Sequence, residues 1–242
     1  MDYGTVVLGN LFYGILRIFS AGKPEGFDRG EFINLCTLSL KDICDTSVLE
    51  GVLKDNRDEG NEFYISLIEK SYDYGLSEEE NFKPDFKNPL YSIFSFVDIG
   101  RQSDHPMYHY VPGQYTTKNA YPTKDEGVYE KEFISSINGL YREVINILNS
   151  GDITLDIILN QLNLVLLKYA WCIPAFSNKS SRDVSLYDYL KVTTAISGCL
   201  YYYHEGKEKK VGDLEKDGEN KFRVLVGDVS GIQNYIFSGT HS

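Results

Sequence analysis

Asp104, His105 and His109 are residue types that ligate metals, and two imidazoles four positions apart on a helix can share a zinc ion. Pro106 stands between them, however, and the Tyr, Gly and Pro residues around it are loop formers, so the local sequence points to exposed or locally hydrogen-bonded histidines. A different chemistry is suggested near the C-terminus, where the chain reads GDVSGIQNYIF. Gly227 and Gly231 would let backbone approach a ligand, and a helix capped by Ser230 would offer free N–H groups to phosphate. Asp228, Ser230 and Gly231 are therefore the candidate cofactor-binding residues, although the same turn serves in many folds as a simple cap. Cys36, Cys44, Cys172 and Cys199 show no CxxC spacing and lie in apolar surroundings, which favours free buried thiols over zinc ligands or disulfides.

The elements that must position these residues are mostly helical. Residues 6–20 are apolar on most faces and predict a buried helix closed by Gly22 and Pro24. Asp28 with Glu31 opens a second helix through Leu35, Leu38 and Leu40. A third is expected over 62–74, ending at Gly75, and a charged loop with two prolines over 76–89. Residues 89–97 read equally as a short strand or a helix, and 98–125 as an irregular excursion or a small β-hairpin. Helical spacing returns over 126–148 and 153–171, and Ser185 with Asp188 forms a capping box for a helix over 185–203. The polar, glycine-punctuated stretch 204–221 reads as a linker. Beyond it, Phe222, Val224 and Val226 alternate as a short strand would, and Ser230 with Gln233 caps a helix. One strand and one helix cannot bury each other's apolar faces, so this segment is expected to be the truncated start of an α/β unit.

Composition narrows the classes of function. A chain of 242 residues with 42% hydrophobic content can bury a large core. Its formal charge of -11 argues against a broad nucleic-acid-binding face, because phosphate neutralisation needs clustered Lys and Arg and the sequence shows no such cluster. No apolar run approaches the roughly 20 residues that span a bilayer, and no signal-peptide layout opens the chain, which leads to the expectation of a cytoplasmic protein with no membrane partner. The 19 tyrosines, among them Tyr108, Tyr110, Tyr115, Tyr121 and the run Tyr201, Tyr202, Tyr203, supply contact area for a protein interface or for the core.

Five blocks carry a family resemblance. GDVSGIQNYIF is similar to the opening of the first palm domain in the large subunit of type III CRISPR effector complexes, of the Csm type (subtype III-A). DVSLYDYLKVTTAISGCLY (183–201), WCIPAFS (171–177), NPLYSIF (88–94) and FSAGKPEGF (19–27) resemble other blocks of that family in the same order. The resemblance implies an HD-type helical bundle in which His and Asp hold metal ions that activate water against single-stranded DNA. It further implies two palm domains that make cyclic oligoadenylate from ATP, with carboxylates from a GGDD segment that this chain lacks. The leading His-Asp pair has no counterpart here, Arg17 stands where the family has a carboxylate, and Tyr189 where it has a His. Asp188 alone remains, and its position suits a cap.

The reading is a mainly α protein: an HD-like helical bundle without metal ligands over 1–203, a charged linker over 204–221, and over 222–242 the first strand and helix of a truncated ferredoxin-like (α+β) palm. No catalytic or metal-binding residues are assigned. ATP and a divalent metal are implied only for full-length family members, where Asp228, Ser230 and Gly231 would touch ATP. The implied partners are the other subunits of a CRISPR ribonucleoprotein, with crRNA and target RNA met indirectly. An active HD nuclease fragment and a stand-alone interaction adaptor are the alternatives.

Overall fold

The computed structural model describes residues 3–75, 82–96, 107–117, 119–124, 127, 129–151, 154–178, 182–208, 210–216 and 220–226. The apolar run near the N-terminus becomes α1 (Tyr3–Gly22), a helix buried on nearly every face from Val6 to Phe19. By length and composition it could cross a bilayer, which corrects the sequence expectation that no such run exists. Its apolarity has another cause, because α3 (Thr46–Lys54), α4 (Glu62–Tyr74), α5 (Glu130–Leu148) and α7 (Leu186–His204) all pack on it, as the central helix of a bundle requires.

Local signals account for most helix starts. The Asp28 carboxylate accepts from the Glu31 N–H at 2.8 Å and starts α2 (Arg29–Ser39). Ser185 Oγ accepts from the Asp188 N–H at 3.0 Å and donates to Asp188 Oδ2 at 2.7 Å, which is the expected capping box of α7. Thr154 caps α6 (Leu155–Ala170), which lies against α5 and α7. α3 was not anticipated. Its nine residues hold Val48, Leu49, Val52 and Leu53 at helical spacing, and Asp45 caps it by accepting from the N–H groups of Ser47 and Val48.

The ambiguous middle resolves into both of its alternatives. Leu90–Tyr91 forms β1, a 3-10 turn follows at Ile93–Ser95, and β1 pairs antiparallel with β2 (His109–Tyr110) in the register Leu90↔Tyr110 and Tyr91↔His109. α5 begins at Glu130 rather than in the mid-120s, because Tyr129 turns its hydroxyl back to the Gly127 N–H and to His109. The expected linker is partly anchored. α8 (Val211–Leu214) packs on α4, Leu214 is buried, and the buried Lys221 ammonium donates to the Leu214 carbonyl. Phe222 then rests on the Tyr74 ring, with centroids 5.4 Å apart.

Residues 222–226 form no ladder, which departs from the predicted strand. A strand exists only with a partner, and none of the described residues pairs with this run, so Val224, Leu225 and Val226 are left 77%, 92% and 93% exposed. The helix expected after Ser230, with Asp228, Ser230 and Gly231, lies outside the described residues. Of the four thiols, Cys36, Cys44 and Cys172 are buried, whereas Cys199 is exposed. Gly198 beside it takes the inward position of α7 against Tyr3, which turns residue 199 outward.

Candidate functional site

α1, α4 and α7 converge around positions 17 and 189, where the family resemblance implies metal ligands. They bring together aromatic rings. Tyr189 of α7 lies 5.7 Å from Tyr72 of α4 and 5.1 Å from Phe82, while Phe176 closes its other side at 5.0 Å and Tyr13 of α1 meets Tyr72 at 5.5 Å, all between ring centroids. Tyr72 and Tyr189 are 4% and 2% exposed, so the space between the three helices is filled.

Hydrogen bonds commit the polar ends of this cluster to the scaffold. The Tyr189 hydroxyl donates to the Tyr72 carbonyl at 2.9 Å, and the Tyr72 hydroxyl to the Asn10 carbonyl at 3.1 Å. Asn10 is itself buried in α1. Its amide donates to Ser71 Oγ at 2.6 Å, and its carbonyl oxygen accepts from Thr194 Oγ1 at 3.1 Å, so one side chain ties α1 to both α4 and α7. Burial, and after it the neighbouring Tyr189, pushes the Tyr72 phenol well above its ordinary pKa, which keeps it neutral.

Arg17 sits at the solvent edge of the cluster. Its guanidinium lies 5.3 Å from the Phe82 ring centroid and 5.6 Å from that of Tyr13, and it donates to the Tyr13 hydroxyl at 3.3 Å and to the Phe82 carbonyl at 3.4 Å. A divalent cation needs neutral imidazole or ionised oxygen at such a place. Guanidinium has no lone pair to give and repels the ion, and neutral phenols already engaged with backbone are poor donors, so these residues do not fit a metal. Among the described residues no three His, Cys, Asp or Glu side chains group as metal ligands. Asp188 is exposed and spent on its cap.

The rival zinc site is not assembled on a helix. His109 lies on β2, 3% exposed, with Nε2 3.1 Å from the Tyr129 hydroxyl, as a locally hydrogen-bonded histidine should be. Asp104 and His105 lie outside the described residues.

Sequence reasoning missed a buried ion pair. Asp85 Oδ1 accepts from the N–H groups of Lys87 and Asn88 at 2.9 and 3.0 Å, while Oδ2 lies 3.7 Å from Arg182 Nε. The Asp85 and Arg182 side chains are 5% and 13% exposed. Arg182 also donates to the Tyr91 hydroxyl at 3.1 Å, and its carbonyl accepts from the Tyr91 N–H at 2.9 Å. The pair thereby joins the hairpin segment to the turn before α7. Two residues 97 positions apart leave no periodic signal by which they could have been matched.

Similarity to known proteins agrees with this architecture. No family model matches the chain. It is 37% identical over 110 residues to the CRISPR system single-strand-specific deoxyribonuclease Cas10/Csm1 (subtype III-A) of Methanocaldococcus jannaschii, a match covering 35% of this chain and 14% of that protein. Among solved structures, the fold resembles a chain of the apo Csm1–Csm4 cassette with a TM-score of 0.53 and 15% sequence identity, over 84% of this chain and 28% of that one. The helical body therefore has the fold of part of a Csm-type large subunit. This chain is a relative of the large subunits of subtype III-A CRISPR systems and corresponds to their N-terminal portion. The matches cover less than a third of the length of each of these two proteins.

Proposed function

We propose that this chain is the N-terminal unit of a type III-A CRISPR large subunit, an HD-like bundle over 1–203 whose metal chemistry has given way to aromatic packing and whose role is that of a scaffold. The observation that carries the reading is the cluster of Tyr72, Phe82 and Tyr189 with Arg17 at its rim, where a nuclease of this kind needs metal ligands. The segment 204–221 then joins the bundle to the start of a ferredoxin-like palm at 222–242. The exposed apolar run at Val224, Leu225 and Val226 supports this, since such residues suit a strand that is paired in a larger sheet.

In a full-length protein the palm domains would join ATP into cyclic oligoadenylate with the help of divalent metal, and Asp228, Ser230 and Gly231 would contribute contacts to ATP. The assembly would be a cytoplasmic ribonucleoprotein. The solved neighbour is a cassette with Csm4, which supports docking to other subunits. With a net charge of -11, this chain would meet crRNA and target RNA only through such subunits.

The test uses the full chain in two assays. Incubated with single-stranded DNA and manganese, it is expected to show no cleavage above that of its Asp188→Ala variant; cleavage lost in that variant would restore the active-nuclease reading. Co-expressed with the other complex subunits, it is expected to co-purify with them. Failure to do so would replace the scaffold with a free-standing adaptor.

A further inference from the structure

A cavity of about 380 Å³ lies between the turn that follows β2 and the first two turns of α5. Small-molecule sites occupy about 300–1,000 Å³, so it is large enough to hold one. Gly113, Gln114 and Asn119 line one side, and Lys131, Glu132 and Ser136 of α5 the other. The turn is pinned to the helical body. Trp171 Nε1 donates to the Gly113 carbonyl at 3.2 Å, and the Tyr115 N–H donates to the Lys168 carbonyl at 2.9 Å. Asn119 Nδ2 donates to the Gln114 carbonyl at 3.4 Å and lies 2.7 Å from where a Cβ on residue 113 would stand, so glycine at 113 is what leaves that amide its place in the wall.

Ser136 supplies an independent observation that points to a ligand. It is 2% exposed, and its hydroxyl is buried without a hydrogen-bond partner among the described residues. It stands one helical turn after Glu132, so both side chains leave α5 on the face that lines the cavity. Buried polar groups are nearly always paired, and an occupant that pairs this hydroxyl accounts for its being left open by the protein. The rest of the wall limits what that occupant is. Lys131 and Glu132 contribute one charge of each sign, so a net anion or a net cation is attracted by one and repelled by the other. A zwitterion satisfies both, through charge-assisted hydrogen bonds about twice as strong as neutral ones. The wall offers no ring on which an aromatic ligand could stack, and its single carboxylate does not make a metal site.

We propose that this cavity binds a free α-amino acid with a polar side chain. Lys131 holds its carboxylate, Glu132 its ammonium, and the Ser136 hydroxyl with the Gln114 and Asn119 amides its side chain. Such binding is separate from the scaffold role and does not require it. The test titrates the ¹⁵N-labelled full chain at constant ionic strength with L-serine, L-asparagine and L-glutamine, and then with N-acetyl-L-glutamine and L-glutaminamide, each of which lacks one of the two charges. Saturable shifts are expected in the amides of 113–116 and 130–136, with an apparent Kd of about 1 mM or below for at least one of the three amino acids. Either derivative should bind about tenfold more weakly than L-glutamine or not at all. Lys131→Ala, an exposed change, and Ser136→Ala should each weaken binding of the best amino acid by about tenfold. Ser136→Ala should do so without lowering the melting temperature of the free chain, because it removes a hydroxyl that nothing in the protein pairs. Absence of saturation with all three amino acids, derivatives that bind as well as L-glutamine, or a Kd that Lys131→Ala leaves unchanged would overturn the proposal.

Discussion

Tyr72 and Tyr189 show how a residue's neighbours decide what its functional group can do. A phenol in water can ionise and coordinate a metal; these two are buried, hydrogen-bonded to backbone and packed on Phe82, so their hydroxyls serve as fasteners between helices. Asp45 is the opposite case, a carboxylate kept ionised. The Ser47 hydroxyl, then the backbone N–H groups of Val48 and Ser47, hold its pKa below the ordinary value of 3.8. A carboxyl depressed in the folded state contributes stability above its unfolded pKa, and that contribution disappears as pH falls through the lower, folded value. Asp45→Ala should therefore cost about 0.5–2 kcal/mol at neutral pH, the usual worth of an N-cap, with the deficit shrinking in acid. Urea unfolding at a series of pH values below 6 measures this, and a deficit that is constant with pH would refute the assignment.

At the scale of elements, the helices that carry their own punctuation were legible. Asp28 with Glu31 and Ser185 with Asp188 announce α2 and α7 because capping is a bond between residues three apart. α3 escaped notice for a physical reason: at nine residues it is too short to show a sustained period, and an isolated helix of that length is marginal without tertiary support. How closely α1 approaches its neighbours was not legible either. Gly14 faces the Tyr72 hydroxyl and the Leu190 side chain so directly that an added Cβ would overlap both. Gly14→Ala gains helix propensity of about 1 kcal/mol but overpacks the α1–α4–α7 junction, which typically costs about 1–3 kcal/mol. Calorimetry should find the variant less stable, with a melting temperature lower by several degrees. A more stable variant would mean that the junction has room.

The whole molecule depends on contacts between segments far apart in the chain, and Asp85 with Arg182 is the clearest of them. Removing one partner of a buried pair leaves the other charge uncompensated, so Asp85→Ala should destabilise by about 3–5 kcal/mol. Asp85→Asn keeps an acceptor for the N–H groups of Lys87 and Asn88 and should lose less, as denaturant titration of the two variants side by side would show. Equal losses would mean that the turn around Asp85, and not its charge, holds the hairpin. From the sequence alone came the helical class and the principal helices with their caps, because propensity, periodicity and capping act over a few residues. Tertiary structure alone decided which helices pack around α1, that 204–221 is anchored by α8 and Lys221, that Cys199 faces outward, and that 222–226 forms no ladder with any described residue. Each of these turns on which distant surface covers a residue, and burial is a property of the packed chain that no short window of sequence contains.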